Sequence, residues 1–334
     1  MYIERRPLGG SKKGFQGDAF YAADNPPFGA NFTYYLKDKL KTKKEKRQEA
    51  EKEAAKKNQS LPYPSNDALR AETEEAKPEI YLIVYDESGA PIRRVDAAGA
   101  EGFHRVAWDL RYFAPSVTEE ENPDADFPAV GSQGPLVMPG KYSARLFRKV
   151  DGTVTELAGS QAFTVIADGT SAMNAEDRAA QQDFHRKVSR LYRAVSGAIN
   201  SANDVQTRLK AIRKALQNTP AAEPLVAAAD SIEKQDNQIL RALRGDAALA
   251  ARNENVPSSI NDRLNGIMEG ERFAITRPTQ THLQAYAIAS DEFAQQLAKL
   301  RNLIQVDLAK LEKDMEAAGA PWTPGRLPEW QEPK

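Results

Sequence analysis

Between Phe184 and Leu216, ten apolar residues (Phe184, Val188, Leu191, Val195, Ala198, Ala202, Val205, Leu209, Ile212 and Leu216) follow one another in steps of four and three without a miss. A repeat of 3.5 residues sustained over this length commits the segment to a helix packed along its whole length, because a strand would scatter the same residues over two faces. The spacing predicts one long helix or two nearly collinear ones. Asn174, with Asp177 three residues on, is placed to cap its start, and Thr219-Pro220 ends it. Leu225, Ala229, Ile232, Ile239 and Leu243 predict a second helix. Ile260, Leu264 and Ile267 predict a third after Pro257-Ser258, and Leu283 through Met315 a long fourth after Pro278. Three connections of turn-like composition make these antiparallel neighbours, so residues 171–318 are expected to form an up-and-down antiparallel helical bundle. The tail over 319–334, with prolines at 321, 324, 328 and 333, is unsuited to a helix interior or a central strand. Its two tryptophans, Trp322 and Trp330, suggest that it docks on something.

Upstream the period changes to two. In Gly102-Phe-His-Arg-Val-Ala-Trp-Asp-Leu-Arg111, the residues Val106, Trp108 and Leu110 share one face while Phe103, Arg105, Ala107 and Asp109 alternate with them. Pro139-Gly140 makes a turn, after which Tyr142, Ala144 and Leu146 lead off a strand whose other face carries Lys141, Ser143 and Arg145. Ile80 to Tyr85, Pro91 to Val95 and Gln161 to Ile166 complete a set of short strands with turn residues between them, and Asp151-Gly152 is a hairpin signal. With Phe20-Tyr21 and Asn31 to Leu36 there are about seven strands, the number of an Ig-like antiparallel β-sandwich. The expected fold is therefore α+β and multidomain. Residues 1–36 are a lead and first strands joining the sandwich, 37–78 a charged helical insertion, and 79–168 the sandwich proper.

The insertion opens with Lys37 to Lys57, which holds ten basic and five acidic residues and almost no apolar stripe. Good helix formers without an apolar face predict a solvated helix. The run lacks aromatic interleaving, and acidic residues follow between Asp67 and Glu79, so a polyanion contact is not the expected role. Over the whole chain 46 basic side chains meet 47 acidic ones, a balance that steers neither nucleic acid nor anionic membrane toward it. The absence of cysteine excludes disulfides, thiol catalysis and thiolate metal sites. No apolar run approaches the length of about 18 residues that a membrane span needs, and the N-terminus Met1-Tyr-Ile-Glu-Arg-Arg-Pro7 has no signal-peptide h-region, so a soluble chain is expected.

Several short motifs recur in a definite order: Asn25-Pro-Pro-Phe-Gly-Ala30, Tyr34-Tyr-Leu-Lys37, Asp86-Glu-Ser-Gly89, Trp108-Asp-Leu-Arg111, Pro139-Gly-Lys-Tyr142 and Thr323-Pro-Gly-Arg326. In this order they resemble the C-terminal region of bacterial sortilin-like proteins, often labelled glycosyl hydrolases because their N-terminal part is a propeller of Asp-box repeats. The resemblance runs from about Asp24 to the end, and the sandwich is similar to the Ig-like domain of flagellar hook-capping proteins. Two departures stand out. The propeller, with its Ser-x-Asp-x-Gly-x-x-Trp boxes, is missing, and Ala167-Asp-Gly-Thr170 stands where relatives read Asp-Pro-Arg. The resemblance implies a non-catalytic accessory or protein-interaction module whose partner is an upstream β-propeller or another protein, and relatives that are periplasmic or extracellular. A start at Met1 without a signal sequence fits either a truncated reading frame or a separately encoded tail.

The candidate chemistry is sparse. Trp108, Asp109 and Arg111 bring together an aromatic platform, a carboxylate and a guanidinium. The bland reading is that Trp108 fills the core while Asp109 and Arg111 tie the strand end to neighbouring turns. The sharper one is a carbohydrate-active hydrolase or glycan-binding module, in which Asp86 or the acids of the 119–126 loop face Asp109 across a cleft at roughly 5 to 10 Å. Trp322 and Trp330 are candidates for stacking on a glycan or for pinning the tail. His104, His185 and His282 lie in three different elements without a ligand spacing, so no metal or cofactor is expected. Asn122, Asp124 and Asp126 alternate as calcium ligands do, but Pro123 and the missing twelfth-position Glu argue against an EF-hand.

Overall fold

The alternating pattern around Trp108 and the hairpin signal at Asp151-Gly152 both act on the same small set of strands. The computed structural model describes residues 27–60, 63–115, 130–167, 169, 173–217, 219–220, 222–272, 274, 276–328 and 330. The expected strand at Phe20-Tyr21, the motif residues 25–26 and the acidic loop 119–126 lie outside them. The fold is mixed α+β with antiparallel sheets and several helices. It divides into two compact units, one taking the described residues up to Phe113 and from Gly134 to 169, the other taking 114–115, 130–133 and 173 onward.

In the first unit, β1 (Ala30–Leu36) pairs antiparallel with β4 (Gly102–Trp108), with Tyr35 opposite Phe103 and Ala30 opposite Trp108. A second, four-stranded antiparallel sheet has the order β3 (Pro91–Ala97), β2 (Glu79–Tyr85), β5 (Gly140–Val150), β6 (Thr153–Val165). The two sheets share one apolar core of Leu36, Ile80, Leu82, Val84, Ile92, Trp108, Tyr142, Ala144 and Leu146. Period-two alternation is what supplies it: Tyr142, Ala144 and Leu146 are buried while Lys141 and Arg145 are exposed. Asp151 and Gly152 adopt φ of +50° and +75°, the pair of left-handed residues that a two-residue hairpin turn requires. That tight turn obliges pairing to begin at once, with Val150 opposite Thr153. For this reason β6 is thirteen residues long rather than the six expected from Gln161 to Ile166, and Ile166 lies just outside it.

Between β1 and β2 run α1 (Lys43–Lys56) and α2 (Asn66–Thr73). Thr42 and Glu45 form a reciprocal capping box at the start of α1, and Ala54 is its one buried residue. Several charges of the basic run are paired within the chain. Lys39 meets Glu45 at 2.7 Å, Lys41 meets Glu49 at 2.5 Å, and Lys43 meets Asp151 at 2.9 Å. Arg47 bridges Glu51 at 2.7 Å and Glu72 at 2.6 Å, the latter joining the two helices.

The second unit begins with α3 (Ala175–Leu216), a single helix of 42 residues whose Asn174 side chain accepts the Asp177 N–H at 2.8 Å. It is followed by α4 (Glu223–Arg244), the short α5 (Ala247–Ala250), α6 (Ile260–Arg272), α7 (Gln280–Asn302), a π-helical turn (Leu303–Leu308) and α8 (Ala309–Ala317). All ten residues of the four-and-three run on α3 are buried, in one core with α4, α6, α7, the π-helical turn and α8. The expected fourth helix carries a register change. Leu303 and Leu308 are five apart, and ordinary α geometry would turn Asp307 rather than Leu308 toward the core. The π-helical turn absorbs the extra residue and buries both leucines.

Candidate functional site

The Trp108 to Arg111 motif sits where β4 ends. Trp108 is 1% exposed, with its ring beside those of Tyr142 and Phe163 at centroid distances of 5.7 and 6.0 Å. A buried indole N–H must find an acceptor, and Trp108 Nε1 donates to the carbonyl of Arg111 at 2.9 Å. The chain can turn back that sharply because Leu110 takes φ of +58°, a left-handed conformation strained for a branched side chain. Asp109 holds it there, its Oδ1 accepting the Arg111 N–H at 3.1 Å in an Asx-turn. The next residues pair with 134–137. Val137 N–H donates to Leu110 O at 2.8 Å, Tyr112 N–H to Pro135 O at 3.0 Å, and Arg111 Nη1 to Gly134 O at 3.0 Å. Two glycines make this possible by close approach. A Cβ on Gly134 would lie 2.2 Å from Tyr112 O, and one on Gly29 would lie 1.8 Å from Trp108 O.

Arg93 of β3 donates to Tyr112 O at 3.2 Å and stands 3.9 Å from Asp109 Oδ2. Together with Arg94, Val95, Asp96, Ala107 and Trp108 these two residues line a polar depression of about 330 Å³. Trp108 offers no stacking surface there, since its ring is buried. Asp86, the other described acid considered as a partner for Asp109, accepts from Ser88 N, Ser88 Oγ and Ala90 N within its own turn, at 2.9, 2.6 and 3.0 Å.

An exposed aromatic pair of the first unit lies elsewhere, on the outward face of β1 and β4. There Phe103 is 79% and Tyr35 56% exposed, their ring centroids 4.9 Å apart, with Arg105 and Thr33 opposite each other as the next outward pair. The alternation places these residues opposite the core, but sequence alone does not distinguish an exposed Phe from a buried one.

In the second unit the tail is held by small and charged residues rather than by its tryptophans. Ala320 and Thr323 are buried, Gly325 leaves no room for a Cβ against the Arg208 guanidinium at 2.7 Å, and Arg208 pairs with Glu312 of α8. Arg326 donates to Pro321 O at 3.0 Å and Glu316 at 2.8 Å, with its guanidinium 4.8 Å over the Trp322 ring. Trp322 remains 42% and Trp330 78% exposed.

Two polar groups of the helical core had no sequence signature. Glu271, near the end of α6, is buried between two histidines from other helices. Its Oε2 lies 3.2 Å from His185 Nε2 and its Oε1 2.6 Å from His282 Nδ1, while Gln181 reaches Oε2 at 3.4 Å. Burial pushes this carboxyl up, but the hydrogen bonds from His185, His282 and Gln181 together outweigh it and hold the group below the usual glutamate range. Gly270 lets the His282 ring approach to 2.8 Å of where a Cβ would stand. The other group is Asp236 on α4, which has no solvent exposure and no hydrogen-bond partner at either carboxylate oxygen. His185 and His282 are 97 residues apart in sequence, so their meeting on one carboxylate follows from helix packing alone. Among the described residues no group of three or more His, Cys, Asp or Glu side chains is arranged to hold a metal ion, and no helix is long and apolar enough to cross a membrane.

No protein-family model matches this chain, nor does any curated protein or any solved structure.

Proposed function

We propose that this chain is a non-catalytic interaction module, an Ig-like sandwich followed by an up-and-down antiparallel helical bundle, that works as the C-terminal part of a sortilin-like Asp-box propeller protein. The observation that carries the reading is the use made of the Trp108 to Arg111 motif. Its indole N–H, its Asp109 carboxylate, its Leu110 carbonyl and its Arg111 guanidinium all bond to the chain's own backbone. A constellation used in this way fixes a strand end and leaves the outward face of β1 and β4 to meet a partner. Tyr35, Phe103 and Arg105 on that face are of the kinds enriched at protein interfaces. The upstream propeller of the proposed parent is the partner this face would meet.

The test is photo-crosslinking from benzoylphenylalanine placed at Phe103, carried out in cells of the source organism. A covalent adduct with a polypeptide bearing Ser-x-Asp-x-Gly-x-x-Trp boxes is the expected result. Absence of any adduct would overturn the partner. Turnover of chromogenic glycosides by the purified chain, abolished by Asp109→Asn, would instead establish the hydrolase reading.

A further inference from the structure

On α4, the residues four before, three after, four after and seven after Asp236 are Ile232, Ile239, Leu240 and Leu243, all buried in the helical core. A carboxyl therefore stands in the middle of an apolar seam. Across from it, α3 contributes the buried Ala202, Val205 and Leu209 to the same core. Polar contacts flank the seam: Gln206 Nε2 donates to Asn237 Oδ1 at 2.9 Å, Arg244 Nη1 to Asn203 Oδ1 at 3.3 Å, and Arg213 to Asp230 and Glu233 at 2.6 and 2.5 Å. Gln206 and Arg244 stand near enough to favour the charged form of Asp236, yet neither of its oxygens has a partner within hydrogen-bond distance. A neutral carboxyl tolerates such a place far better than a carboxylate does.

We propose that the α3–α4 seam is a proton-gated joint: with Asp236 protonated α4 lies closed on α3, and loss of the proton makes the seam open more readily. This goes beyond the interaction-module reading and does not depend on it. Burial pushes the Asp236 carboxyl up from 3.8 to about 6, opposed by Gln206 of α3 and Arg244 of α4 and reinforced by Glu233 of α4. Among the described residues no charged group of α6, α7, the π-helical turn or α8 is among those acting on it. The sign follows from linkage. A folded-state value above the unfolded one means that the open form releases its proton more readily, so closure weakens as pH rises from the unfolded value to the folded one and levels off above it.

The experiment is hydrogen–deuterium exchange of the full chain at pH 5 and pH 8, corrected for intrinsic exchange rates, with α4 peptides as the readout and β2 peptides as the internal reference. With values of 3.8 and about 6, the opening constant of α4 is expected to rise about tenfold between the two pH values. Asp236→Asn should abolish this contribution, and Asp236→Leu should do the same while raising protection at pH 8 above that of the native chain. The leucine variant keeps the test decisive where the asparagine variant folds poorly. Equal protection of native α4 at both pH values, or a tenfold change that persists in both variants, would overturn the proposal. Persistence would assign the pH response to another group, such as the His185–Glu271–His282 cluster.

Discussion

Replacing Asp109 in two ways separates a structural carboxylate from a chemical one. Asp109→Ala removes the acceptor of the Arg111 N–H and with it the Asx-turn that keeps Leu110 at φ of +58°. A hydrogen bond to a charged acceptor contributes about 1.5 to 3 kcal/mol, and the half-exposed position lets water replace part of it, so a loss of about 1 to 2 kcal/mol is expected. Asp109→Asn keeps a carbonyl oxygen in the same place and gives up only the charge. The charge faces Arg93 at 3.9 Å with both side chains partly in solvent, an ion pair contributing no more than about 0.5 to 1 kcal/mol. The asparagine variant should therefore lose no more than about half of what the alanine variant loses. Trp108 provides the assay, because it is buried while Trp322 and Trp330 are exposed. In a Trp322→Phe/Trp330→Phe background its emission reports the first unit alone, and urea titration gives the two free-energy differences at constant m-value. Equal losses in the two variants would refute the reasoning, since they would show that the charge rather than the acceptor geometry matters.

Three other outcomes are expected. Gly134→Ala should destabilise the first unit by about 2 to 3 kcal/mol in the same urea assay, because its Cβ meets the Tyr112 carbonyl oxygen at 2.2 Å and only backbone movement relieves it. Leu209→Ala, two turns before the end of α3 and 1% exposed, should cost about 3 to 4 kcal/mol in helical unfolding followed by circular dichroism. Glu271 has a depressed folded-state value, so its stabilisation is complete above the ordinary carboxylate range near 4.5 and disappears as pH falls through the lower folded value. Glu271→Gln should therefore lower helical stability at pH 7 by about 1 to 3 kcal/mol and flatten the acid limb below pH 4.5 in a circular-dichroism pH titration.

The parts of the fold that could be read in advance are those set by local period and local turn chemistry. The four-and-three run of α3 and its Asn174 cap are visible in the sequence because a helix repeats its face every seven residues and its first turn needs an acceptor whatever lies around it. The buried Trp108 and the hairpin at Asp151-Gly152 are visible for the same kind of reason. The π-helical turn is less so. The five-residue step from Leu303 to Leu308 is written in the sequence, but whether a helix bulges, kinks or exposes one leucine depends on what it packs against. The site residues divide likewise. Trp108, Asp109 and Arg111 could be picked out as a group because they are neighbours in sequence, yet their partners at 134–137 are brought to them by the chain's return.

What the sequence by itself determined is the order of elements and the face that each must bury, since both follow from spacing over a few residues. Only the tertiary structure decided which polar groups would meet. Glu271 between His185 and His282, Asp236 alone against α3, and the charges of α1 matched to Glu72 and Asp151 all depend on distances across helices and strands. Apolar burial is non-directional and leaves its trace in composition and period. Hydrogen bonds and ion pairs act at about 3 Å between atoms far apart in the chain, so their pattern becomes fixed only when the packing does.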